Sequence, residues 1–180
     1  MRPALSTHQL RGRRDLERDA KYLAPHAMRH VSRAINGRMP AVEITLTSPR
    51  GMAELAVRTE AEVAGCTDRR TTARELKSAT RYARDAAGRA LVRTDGSVLI
   101  LVNADQHRTT HEVAVTLVHE LVHAMQFSRR GVRERLVRDL RDQYGVAKQT
   151  RDQAREHARL LEAEEREAYR AEHLADDLRL

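Results

Sequence analysis

Residues 116–127 read TLVHELVHAMQF. Most of this run is apolar, yet it carries His119, Glu120 and His123. The preceding residues, ADQHRTTHE (104–112), place Thr109 three positions before Glu112. That spacing is a capping box: the threonine oxygen accepts a free helix N–H, and the glutamate reaches back to the cap. A helix from about 110 to about 128 is therefore expected. It is apolar nearly all round, so other elements must surround it. A packed helix holding two imidazoles and a carboxylate needs something to compensate them, since an unpaired buried carboxylate costs several kcal/mol.

The spacing says what that is. Positions i and i+4 stack on one helix face, one turn apart, so His119 and His123 can direct ring nitrogens at one ion. Glu120 is rotated by about 100° from His119, which is wrong for a third ligand but right for reaching a water bound to that ion. The H-E-x-x-H arrangement thus divides the labour. A zinc ion held by two histidines acidifies the water, and the glutamate takes its proton as general base.

A catalytic zinc site needs a third protein ligand and an open position. A third histidine six residues after His123 is ruled out, because position 129 is Arg, and Gln126 stands where that pattern has Gly. A carboxylate or histidine further along is the remaining source. The stretch LLEAEEREAYRAEHLADDL (160–178) offers Glu162, Glu164, Glu165, Glu167, Glu172 and His173. On a helix, its apolar face is built by Leu160, Leu161, Ala168, Ala171, Leu174, Ala175 and Leu178. Glu164 falls near the centre of that face, Glu165 at its edge, and Glu162 away from it.

Composition bounds the remainder. The chain has 180 residues, 41% hydrophobic but only 3% aromatic, with no Trp. One domain with a core of Leu, Val and Ala is expected. Lysine occurs three times (Lys21, Lys77, Lys148), and the other 30 of the 33 basic residues are arginine. The formal net charge is +7. Because the arginines are spread among Asp and Glu, solvated helix faces account for them more simply than an anionic partner does. Paired-cysteine zinc fingers and RNP-like aromatics are absent, so nucleic acid would find few stacking side chains. Cys66 is the single cysteine. It excludes an internal disulfide framework, fits a reducing compartment, and reads as a small buried hydrophobe rather than a zinc ligand. The N-terminus has no apolar run typical of a secretory signal, and no stretch is long enough to span a membrane. A cytoplasmic location is expected.

Along the chain, residues 8–36 read as a basic helix that Pro25 interrupts, with a stop at Asn36-Gly37. AVEITLT (41–47) reads as a strand ended by Pro49 and Gly51, then helices are expected over 52–65 and 70–87. RALVRTDGSVLILVN (89–103) is a hairpin turning at Asp95-Gly96. A short charged helix spans 132–143, and one long helix runs from about 148 to the end. The organisation expected is a basic helical segment over 1–38 and a predominantly helical α+β domain over 39–180.

The HELVH helix followed by a Glu-rich helix resembles the gluzincin-type zinc peptidases, especially the minigluzincin and ImmA-like forms. The resemblance covers roughly residues 90–175. It implies a zincin-like catalytic domain, with a small sheet and an active-site helix. It also implies a third ligand from a Glu on a later helix, with Ala three residues beyond. Here that match is Glu165 with Ala168, whereas helix geometry alone favours Glu164; Glu165 is the choice and Glu164 the alternative. The family pattern commonly has Asp or Asn at the next position, where this chain has Tyr169. The resemblance further implies that VLILVN (98–103) flanks the cleft and pairs with an extended substrate.

The expectation is a Zn2+-dependent metallopeptidase acting on a protein or peptide. His119, His123 and Glu165 hold the metal and Glu120 is the base. Tyr169, Tyr144, His111 and nearby arginines are candidates for stabilising the oxyanion. Two rivals are a non-catalytic regulatory module on the same fold and a protease tethered to nucleic acid by its basic segment. Retention of Glu120 favours an enzyme over the first.

Overall fold

The computed structural model describes residues 3–178. Four strands form one mixed sheet: β1 (Ala4–His8), β2 (Val42–Thr47), β3 (Gly88–Val92) and β4 (Val98–Asn103). Their spatial order is β1-β2-β4-β3. β1 and β4 run parallel to β2, and β3 turns back antiparallel onto β4. The helices are α1 (Arg14–Ala34), α2 (Pro49–Ala64), α3 (Arg69–Tyr82), α4 (Thr110–Phe127), α5 (Val132–Gln143) and α6 (Arg151–Ala171). A 3-10 turn over Glu172–Asp177 continues α6.

β4 explains the layering. All six of its residues are buried, because helices cover both faces of the sheet. Val98, Ile100 and Val102 share a core with α1, α4 and the end of α6. Leu99 and Leu101 face the other way, into a core with Met52, Ala56 and Ala79 from α2 and α3. The chain is thus a mixed α+β protein dominated by helix, built as helix, sheet and helix layers.

α4 forms where the capping box puts it: Thr109 accepts from the Glu112 N–H and Glu112 accepts from the Thr109 N–H. Twelve of its eighteen residues are buried. Its start is tied to α1 by Thr110, whose hydroxyl donates to the buried Asp19 at 2.6 Å. Arg13 donates to the carbonyls of Ala104 and His107, at 2.5 and 2.6 Å. These bonds hold the first residues of α1 against the loop that launches α4.

Several expectations need correcting. Residues 4–8, expected within a helical segment over 1–38, form a strand, and the first helix begins at Arg14 rather than at 8. That helix runs through Pro25. The boundary drawn at residue 38 divides the chain but not the core. β1 pairs with β2, and Leu16, Leu23, Met28 and Val31 sit in the same core as α4. Pro49 does not merely end a strand; with Ser48 as cap it opens α2. α3 stops at Tyr82 because Asn103 donates to the carbonyls of Ala83 and Ala86, holding a turn into β3. VLILVN is interior to the sheet, bonded on both sides, so it cannot pair with a substrate strand. The free edge on that side is β3. Asn103 N–H bonds to Ala87 and Arg93 N–H to Ser97. By the alternation of antiparallel ladders, Gly88, Ala90 and Val92 therefore point their N–H and C=O groups outward.

Candidate metal centre

One donor atom each from His119, His123 and Glu165 lies within 4.8 Å of the other two. α4 supplies the histidines and α6, packed across it, supplies the glutamate. The two Nε2 atoms are 3.1 Å apart. Glu165 Oε2 lies 3.5 Å from His119 Nε2, and Oε1 lies 3.4 Å from His123 Nε2. Zinc bonds of about 2.0–2.1 Å in tetrahedral geometry place neighbouring donors about 3.3 Å apart.

Tautomers test whether these residues fit a cation. His119 Nδ1 lies 2.9 Å from Glu172 Oε1, an acceptor, so Nδ1 carries the proton. His123 Nδ1 lies 2.8 Å from Gln126 Oε1. The Gln126 amide is oriented by donating its Nε2 to the Glu164 carbonyl and to Glu167, at 2.9 and 3.0 Å. Its oxygen therefore accepts, and His123 also carries its proton on Nδ1. Both neutral rings then present Nε2 lone pairs to each other and to a carboxylate. Three acceptors face one point, an arrangement that is repulsive until a cation occupies it. Without one, a proton must serve. Burial disfavours the His123 imidazolium, but the carboxylates of Glu165 and Glu120 outweigh burial and raise its pKa. The hydrogen bond with His123 correspondingly lowers the pKa of Glu165.

Glu120 stands apart from this set. It is 6% exposed and lies against β3, beside Gly88. Burial pushes its carboxyl above the ordinary value. Gly88 makes the room: a Cβ there would lie 2.6 Å from Glu120 Oε1.

Of the late carboxylates, Glu164 is spent elsewhere. It takes a bidentate pair from Arg135 (about 2.5 and 2.6 Å), a guanidinium 5% exposed at its side chain. Glu162 pairs with Arg166 on the surface. Glu167 takes a bidentate pair from Arg129, the residue standing where a third histidine would follow. Glu172 and Gln126, which hold the two histidines from behind, were not read from the sequence as partners. Glu172 lies two turns beyond Glu165, where the 3-10 turn begins. Gln126 stands where the three-histidine pattern has Gly.

A cavity of about 840 Å³ opens on this group. Tyr82, Phe127, His157, Leu161 and Tyr169 line it, with the outward side of β3 along one wall. Tyr169 meets His119 edge to face, with ring centroids 4.9 Å apart. Tyr144 is buried and its hydroxyl donates to Glu60 at 3.1 Å, so it is not an oxyanion donor. His111 is exposed beside Asp176. Cys66 packs with Ala61, Ala64 and Tyr144 at the end of α2, outside the His119–His123–Glu165 group. Among the described residues, no helix is long and apolar enough to cross a membrane.

Comparison with protein-family models, with curated proteins and with solved structures finds no match for this chain.

Proposed function

We propose that this chain is a zinc-dependent metallopeptidase of zincin-like architecture, with zinc held by His119, His123 and Glu165 and Glu120 as general base. The observation that carries the reading is the convergence of two Nε2 lone pairs and a carboxylate on one point. Each histidine is fixed behind by an acceptor, Glu172 or Gln126. Such outer partners set the tautomer and raise the basicity of a ligating imidazole. A bound zinc would acidify a water and polarise the scissile carbonyl.

The remaining steps belong to side chains of the chain. Glu120, in a dry position with its pKa raised, takes a proton from the attacking water and delivers it to the leaving amine. The phenol of Tyr169, at the cavity wall beside His119, is a donor for the developing oxyanion. The outward groups of Gly88, Ala90 and Val92 offer an extended peptide a strand to pair with. Main-chain bonds of that kind grip without much choice of sequence. The substrate in this reading is an intracellular protein or peptide.

The test is Glu120→Gln. It should keep one equivalent of zinc and lose peptide hydrolysis by about 10²–10⁴-fold. Full activity in this variant removes the proposed base.

A further inference from the structure

The cavity extends beyond the metal ligands. Along α6, Leu161 is one turn and His157 two turns before Glu165, about 6 and 12 Å along the helix. Opposite them α5 contributes Leu136, Leu140 and Asp139 to the same cavity. This arm has aliphatic walls and a carboxylate at its far end. Leu161 is 39% exposed, unusual for a leucine with neighbours available to cover it.

The charge balance of the arm is uneven. Two of the guanidinium groups near it are committed, Arg135 to Glu164 and Arg89 to Glu60, and a third, Arg138, lines a separate pocket. Asp139 has neutral partners. Gln149 donates to its Oδ1 at 2.8 Å, and His157 Nε2 stands 3.4 Å from its Oδ2. Arg135 Nη1 donates to His157 Nδ1 at 3.0 Å. That nitrogen must therefore carry a lone pair, and the ring's single proton lies on Nε2, toward Asp139. Burial also works against an imidazolium here. His157 consequently orients Asp139 without neutralising it.

We propose that this arm is a substrate subsite for a lysine or arginine side chain next to the scissile bond. The aliphatic stem would lie along Leu136, Leu140 and Leu161 and the cationic head would meet Asp139. Long basic side chains suit such a site, because the stem buries apolar surface while the head keeps a polar partner. The inference rests on the peptidase reading and names its substrate class.

The test uses zinc-loaded protein and peptides that differ only at the residues flanking the bond: Lys, Arg, norleucine or citrulline. A charge-assisted hydrogen bond contributes about 1.5–3 kcal/mol, roughly a 10- to 100-fold preference in kcat/KM. Lys and Arg peptides should show it, and Asp139→Asn should erase the Lys-to-norleucine ratio. Equal cleavage of all four peptides, or a ratio that survives Asp139→Asn, overturns the subsite and leaves the peptidase standing. Binding of labelled Lys and norleucine peptides to Glu120→Gln separates the two claims. If the wild type cleaves nothing, the peptidase reading falls. Equal binding then sinks the subsite too, whereas a tenfold preference for Lys, lost with Asp139→Asn, keeps the arm as a cation site.

Discussion

Replacing Gly88 by alanine tests how closely the sheet edge fits the proposed base. The backbone at Gly88 is not in the left-handed region, so alanine meets no conformational barrier there. The obstacle is space. The new methyl would lie 2.6 Å from Glu120 Oε1, 2.8 Å from Glu120 Cγ and 2.7 Å from Thr116 Cγ2. Overpacking of this kind costs about 1–3 kcal/mol, and reduced freedom of the unfolded chain returns about 0.4–1 kcal/mol. A net loss near 1–2 kcal/mol should lower Tm by roughly 2–8 °C in a chain of this length. Because Glu120 must yield, its carboxylate shifts relative to the histidines, and a displacement near 1 Å can cost about 100-fold in rate. The expected result in calorimetry, zinc titration and peptide assays is a modest Tm fall, one zinc retained and kcat/KM down about 100-fold. Unchanged Tm and unchanged activity would show that Glu120 does not sit against this glycine. Loss of zinc together with activity would make Gly88 a packing residue for the whole centre.

Two further substitutions sort the carboxylates. Glu165→Gln should abolish tight zinc binding while leaving the fold intact. Glu164→Gln should keep zinc but destabilise the protein by about 3–5 kcal/mol, since it strands the buried Arg135; the opposite pattern in zinc titration and thermal melts would exchange their roles. Glu172→Gln should weaken zinc affinity about 10- to 100-fold, as expected for the carboxylate behind a ligating histidine. Unaltered affinity in a competition titration would show that His119 needs no such partner.

What could be read in advance follows from how local each signal is. The Thr109–Glu112 box and the 119/120/123 spacing act within one helix, so α4 and its histidines were legible from one short stretch. Asp95-Gly96 likewise announced the β3–β4 hairpin. Periodicity pointed to Glu164 rather than Glu165, because Glu164 lies nearer the centre of the apolar face of α6. What separates them is Arg135, which arrives from another helix and takes Glu164. β1 was missed because five residues on a sheet edge carry little periodic signal. Their strand identity comes from pairing with β2, a contact 39 positions away in the chain. Swapping β4 for β3 at the cleft had the same origin. A run as apolar as VLILVN says that it is covered on both faces, not which neighbours occupy its edges.

The most direct measurement is metal analysis of the purified protein combined with X-ray absorption at the zinc edge. The expected result is one zinc per chain, with two imidazole nitrogens and a carboxylate at about 2.0–2.2 Å, and its loss in both His119→Ala and His123→Ala. Protein that holds no stoichiometric metal after loading, or that binds zinc equally well in either variant, contradicts the account.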